Sequence, residues 1–128
     1  MLNDAPPMRK AKLLRRYRVG EYDALLLGHI KADGPVKYLY ILGMFRRADH
    51  DLCLGVASEE NKLSSRLGGG SHFLGVFPGE GHENHGASDE WANVETFGRR
   101  ALQLARERLG IGEEAEELPL PKPWWRFW

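Results

Sequence analysis

Apolar and polar residues alternate along much of the first eighty positions, with the two-residue period of strands rather than the 3.6-residue period of helices. Residues 21–31 form one such run, closed by Ala32-Asp33-Gly34-Pro35, a strong turn signal. Residues 36–46 form the next. There Val36, Tyr38, Tyr40, Leu42 and Met44 interleave with Leu39, Ile41 and Phe45, so both faces are apolar and a central strand is predicted. A short polar hairpin at residues 47–51 leads into residues 52–58. Leu52, Leu54 and Val56 share one face of that strand, and the small residues Cys53, Gly55 and Ala57 share the other. Residues 71–77, with Phe73, Leu74, Val76 and Phe77, give a fourth strand. The connection before it ends in Gly68-Gly69-Gly70. No lysine and helix follow these glycines, so they read as a loop rather than a phosphate cradle. Residues 9–19 are basic with scattered apolar positions and fit a short helix or an edge strand equally.

The period changes after Ser88. Trp91, Val94, Phe97, Ala101, Leu102, Ala105 and Leu109 make an apolar stripe at helical spacing. Ser88 is a good N-cap, Asp89 and Glu90 suit the positive end of the dipole, and Gly110 is placed to stop the helix. A helix over residues 89–109 is predicted. Together the elements give an α+β fold: a four- or five-stranded antiparallel β-meander with one long C-terminal α-helix packed on one face. Residues 1–128 form a single domain with a loose N-terminus (1–8), a core (9–110) and a tail (111–128) that is first acidic and then rich in Pro and Trp.

Composition narrows the classes. Eighteen basic and eighteen acidic residues leave a formal net charge of zero, which argues against nucleic acid as the partner. The charges are segregated, however. Arg9, Lys10, Lys12, Arg15, Arg16 and Arg18 crowd one end of the chain, and Glu113, Glu114, Glu116 and Glu117 the other, so the basic segment is expected as a solvated edge or a partner for the acidic one rather than as a contact to phosphate backbones. One cysteine, Cys53, allows no intrachain disulfide and is expected as a small core residue. No apolar run approaches the ~20 residues of a membrane helix, and the first apolar cluster after the basic residues is only Leu13-Leu14, too short for a secretion signal. A cytoplasmic protein without membrane insertion is expected. Twelve arginines against six lysines suit a GC-rich bacterial source.

Two stretches carry candidate chemistry. The loop after the fourth strand holds Glu80, His82, Glu83 and His85, and a meander would bring it to the same end of the sheet as His50 in the 47–51 hairpin. Imidazoles and carboxylates together are ligands for zinc or another divalent transition metal. His82 and His85 are three apart, not the four of a helical zinc-protease motif. Ser71 and His72, adjacent in a strand, are expected on opposite faces and so excluded as a nucleophile–base pair. The second stretch is the tail. Pro119, Pro121 and Pro123 favour an extended, stiff segment that delivers Trp124, Trp125, Phe127 and Trp128 as an aromatic cluster. Such a cluster is expected to fold back on the sheet face left open by the helix, or to dock on a second copy as a homodimer contact. The reading that follows is a small non-catalytic protein-interaction module, an adaptor, regulator or inhibitor needing no cofactor. The alternative is a metal-dependent hydrolase built on the His/Glu loop.

Overall fold

The structure, a computed structural model, describes Met8, Gly34 and residues 10–31, 36–62 and 70–120. Its strands are β1 (Lys12–Val19), β2 (Tyr22–Gly28), β3 (Tyr38–Arg46), β4 (Leu52–Glu60), β5 (His72–Phe77), β6 (Glu83–Ser88) and β7 (Glu116–Leu118), with one helix, α1 (Val94–Leu109), between β6 and β7. All pairings are antiparallel, in the order β6-β5-β4-β3-β2-β1-β7. The fold is the α+β sheet and helix that the hydrophobic pattern implies. The sheet has seven strands rather than four or five.

The added strands have identifiable causes. The basic segment is β1, joined to β2 by a two-residue turn in which Gly20 takes the left-handed φ of 57°. A bulge at Leu14 shifts its register, so Leu14 and Arg15 both fall on the helix side and the alternation is broken in the sequence. β6 comes from the His/Glu loop itself, drawn into pairing by the edge of β5. The acidic segment supplies β7, which sets Glu116 opposite Arg18 and Glu117 opposite Tyr17. The basic and acidic ends of the chain do therefore meet.

Residues 89–109 are not one helix. Ser88 caps a 3-10 turn over Asp89–Ala92, Asn93 is extended, and its side chain accepts from the Thr96 amide to start α1. A short side chain that bonds its own backbone favours such a break over helix continuation. Gly110, at φ 67°, ends the helix as expected.

α1 lies over one face of the sheet. Phe97, Ala101, Leu104 and Ala105 pack on Leu26, Leu42, Met44, Leu54, Val56, Leu74 and Val76. Phe97 is fully buried and meets the Tyr40 ring at 5.6 Å, while Trp91 and Leu102 are only half-buried at the margin. Gly98 sets the approach distance: a Cβ there would lie 2.9 Å from Leu26 Cδ1. On the opposite face, Leu13, Leu27, Ile41, Ala57 and Gly75 are direct partners in one row across β1 to β5. Leu13, Leu27, Ile41 and Ala57 are buried although no helix lies there among the described residues; Met8, Ile30 and Leu120 pack among them. Among the described residues, no helix is long and apolar enough to cross a membrane.

Phe97→Ala should cost ~3–5 kcal/mol, because the rigid sheet beneath cannot collapse into the cavity. Urea unfolding measures it; an unchanged midpoint would mean that the helix does not bear on the core through this ring.

Candidate functional site

The polar groups worth examining lie on the sheet face opposite α1. After β5 the chain turns through Gly79 and Gly81, at φ 132° and 79°, which brings His82 back over the sheet. The imidazole stacks on Phe77 with centroids 4.5 Å apart and planes 6° from parallel. Its Nε2 stands 2.8 Å from Glu59 Oε1 on β4. The contact is off the axis of a hydrogen bond, so that oxygen is buried without a directed donor and the attraction is mainly coulombic. Only a residue without a Cβ fits beneath the pair. A Cβ on Gly75 would come 2.4 Å from His82 Nε2 and 2.8 Å from Glu59 Oε1. Burial raises the Glu59 carboxyl above its ordinary range, and the neighbouring His82 opposes the shift. Tyr38, the cross-strand partner of Glu59, is likewise raised, first by burial and then by the Glu59 charge. Glu59 and Tyr38, both half-buried, thus form with the exposed His82 a polar cluster on this face.

The loop candidates are shared among different neighbours. Glu83 on β6 takes Arg108 from the end of α1 and lies 3.3 Å from His85 Nε2. Glu80 is exposed. His50 sits in the β3–β4 hairpin at a left-handed φ of 61° and borders an arginine-lined cavity. The structure therefore pairs His82 with Glu59 and His85 with Glu83, and leaves His50 with other partners. Among the described residues, no group of three or more His, Cys, Asp or Glu is placed to hold a metal ion. Trp124, Trp125, Phe127 and Trp128 lie outside the described residues.

Two expectations about single residues need correction. Ser71 Oγ lies 2.8 Å from His72 Nδ1. The strand begins at His72, so Ser71 is in the bend before it and pleat alternation does not separate the two side chains. Cys53 is only half-buried, with Arg46 Nη2 at 3.4 Å from its sulfur.

The arginine-lined cavity is the feature that sequence reasoning missed. It occupies about 380 Å³ between β1, β2, β7 and the β3–β4 hairpin, lined by Arg16, Arg18, Asp23, Leu25, Phe45, Arg47, His50 and Leu118. Strand alternation divides the basic segment between the two faces. Arg15 turns to the helix side and pairs with Glu95, while Arg16 and Arg18 face the cavity. Arg16 and Arg18, two apart in a segment that turned out to be a strand, were the available signal.

No family model, curated protein or solved structure matches the chain.

The raised Glu59 carboxyl fixes the sign of a pH effect. The folded chain holds that proton more tightly than the unfolded chain. Stability from this group is fully present below the unfolded pKa and is lost as pH rises through the folded one. Glu59→Gln keeps the shape and cannot ionise. Its Tm advantage over the parent should be absent near about pH 4 and grow to a few degrees by about pH 8. Melting curves across that range test it; a variant less stable than the parent at the upper end would mean that attraction to His82 outweighs burial.

Proposed function

We propose that this chain is a small non-catalytic protein-interaction module, an adaptor, regulator or inhibitor, whose binding elements are the aromatic tail and the sheet face opposite α1. One observation carries the reading. The row Leu13–Leu27–Ile41–Ala57 crosses four strands on a face without a helix, and Leu120 packs at the β1 end of that row. The tail beyond residue 120 therefore leaves from the face it would bind. Strands lie about 4.8 Å apart, so crossing from β1 to β5 takes about 19 Å. The eight residues 121–128, at about 3.1 Å each in extended polyproline form, reach about 25 Å.

The prolines lower the entropy lost on seating this segment, and its tryptophans are of the type that dominates binding energies. The receptor is the chain's own row or, in a homodimer, the same row on a second copy. A lone thiol fits a reducing, cytoplasmic setting. Metal-dependent hydrolysis would need His50, His82 and His85 at one ion, whereas the described geometry gives each a different neighbour.

Deleting residues 123–128 tests the proposal. The truncated protein should melt about 5 °C or more below the parent and bind an apolar dye more strongly, since each large aromatic withdrawn from the face uncovers ~1.5–3 kcal/mol of burial. Light scattering on both proteins separates the receptors: unchanged mass puts the contact within one chain, and a dimer reduced to monomer puts it between two. Equal melting, dye binding and mass would show that the tail does not use this face.

A further inference from the structure

We infer that the cavity between β1, β2, β7 and the β3–β4 hairpin binds a small anion carried on a planar apolar body, an aryl carboxylate or aryl phosphate. The argument begins with register. Arg16 and Arg18 are two residues apart on β1 and so project from the same face with their Cα atoms about 7 Å apart. Their partners on β2 are Leu25 and Asp23, and Asp23 is in turn opposite Phe45 on β3. Two cations thus stand over a floor containing one aliphatic and one aromatic side chain, both half-buried.

The charges inside the cavity do not cancel. Arg47 is already engaged: Nη1 and Nη2 donate to the Tyr22 and Gly20 carbonyls at 3.2 and 2.5 Å, and Nη1 lies 3.7 Å from Asp23 Oδ1. The one carboxylate lining the cavity therefore has its counter-cation. Arg16, which lines the cavity, donates its Nε to the Pro119 carbonyl at 2.9 Å, and its terminal nitrogens carry no hydrogen bond among the described residues. The Arg18 guanidinium has no hydrogen-bond or ion-pair partner among the described residues, even with Glu116 opposite it on β7. His50, on its left-handed hairpin position, adds a further nitrogen-bearing wall.

A guanidinium fork is shaped for two oxygens of a carboxylate or phosphate, and the Phe45–Leu25 floor suits a flat apolar body rather than a bare ion. At about 380 Å³ the cavity lies near the small end of the ~300–1,000 Å³ range of ligand sites, which matches one ring and its anionic group. Long phosphate backbones are disfavoured because Arg15, the remaining arginine of the strand, is on the other face with Glu95. The inference does not depend on the aromatic cluster at residues 124–128, since no residue used here lies beyond Pro119.

The test is an amide NMR titration of the full ¹⁵N-labelled chain with phenyl phosphate, benzoate, inorganic phosphate and benzyl alcohol. Phenyl phosphate, benzoate or both should saturably shift the amides of Arg16, Arg18, Leu25, Phe45 and His50, and the tighter of the two identifies the anionic group. Inorganic phosphate and benzyl alcohol, each carrying half of the recognised chemistry, should bind about tenfold or more weakly. Arg18→Gln, at an exposed site, should keep the parent's Tm and lose about tenfold in affinity. Arg99→Gln, which removes the same charge from α1 on the other face, should bind as the parent does. Shifts centred elsewhere, no saturable shift with either aryl anion, inorganic phosphate binding as tightly as phenyl phosphate, or an Arg18→Gln variant of parental affinity would each overturn the inference.

Discussion

A sheet that is apolar on both faces needs cover on both, and among the described residues a helix covers only one. The sixteen residues of α1, about 24 Å long, reach across the central strands and bury Phe97 against them. Close packing there depends on Gly98, whose missing Cβ admits Leu26. Everything distinctive about the molecule follows from the other face. Its row of Leu13, Leu27, Ile41 and Ala57 is apolar and regular, and of the side chains packed among it Met8, Ile30 and Leu120 come from segments outside the strands. Met8 comes so close to the floor that a Cβ on Gly43 would lie 3.2 Å from its sulfur.

That face also separates its polar chemistry into two corners. Arg16, Arg18, Arg47 and His50 gather beside β1 and the β3–β4 hairpin. Glu59, His82 and Tyr38 gather on β3 to β5, nearer the other end, because Tyr38 and Glu59 are paired at the start of β3 and the finish of β4. The apolar row runs between them. A segment bound along the row would meet basic groups at one end and the Glu59–His82 pair at the other.

Much of the fold was legible because local signals agreed with one another. Strands β2 to β5 show alternation or two-sided apolar runs closed by turn residues, and Gly110 terminates a strong helical stripe. The misses are places where tertiary pairing overrode local preference. Residues 83–88 contain one small apolar residue, Ala87, and no pattern would make them a strand without the edge of β5 to pair with. The bulge at Leu14 hid β1, and Asn93 broke the helix with a side chain whose polarity looked at home on a solvent face. The site was less legible still. His82 was visible as a titratable residue, but its partner Glu59 is twenty-three positions away and is brought to it by register, two left-handed glycines and the space above Gly75.

Charge segregation along the sequence has a structural explanation in the β1–β7 pairing, and that pairing decides what remains available for binding. Exposed ion pairs contribute little individually, about 0–1 kcal/mol, so the acidic segment is held mainly by its backbone ladder and by Ile111 and Leu118 at its flanks. The ladder places a negatively charged strand along a positively charged one, covers residues 16–18 of β1, and leaves as the sheet edge a three-residue charged strand that is a poor template for other chains. It does so unevenly. Glu117 falls on the side of Tyr17, where its charge helps raise the phenol's pKa after burial, the larger cause. On the other side Glu116 is opposite Arg18, and Leu118 is opposite Arg16 and forms cavity wall. Because strand alternation sorts β7 as strictly as β1, its two glutamates are divided between the faces, and the cavity side has one carboxylate, Glu116, against the two cations Arg16 and Arg18 over the Phe45–Leu25 floor.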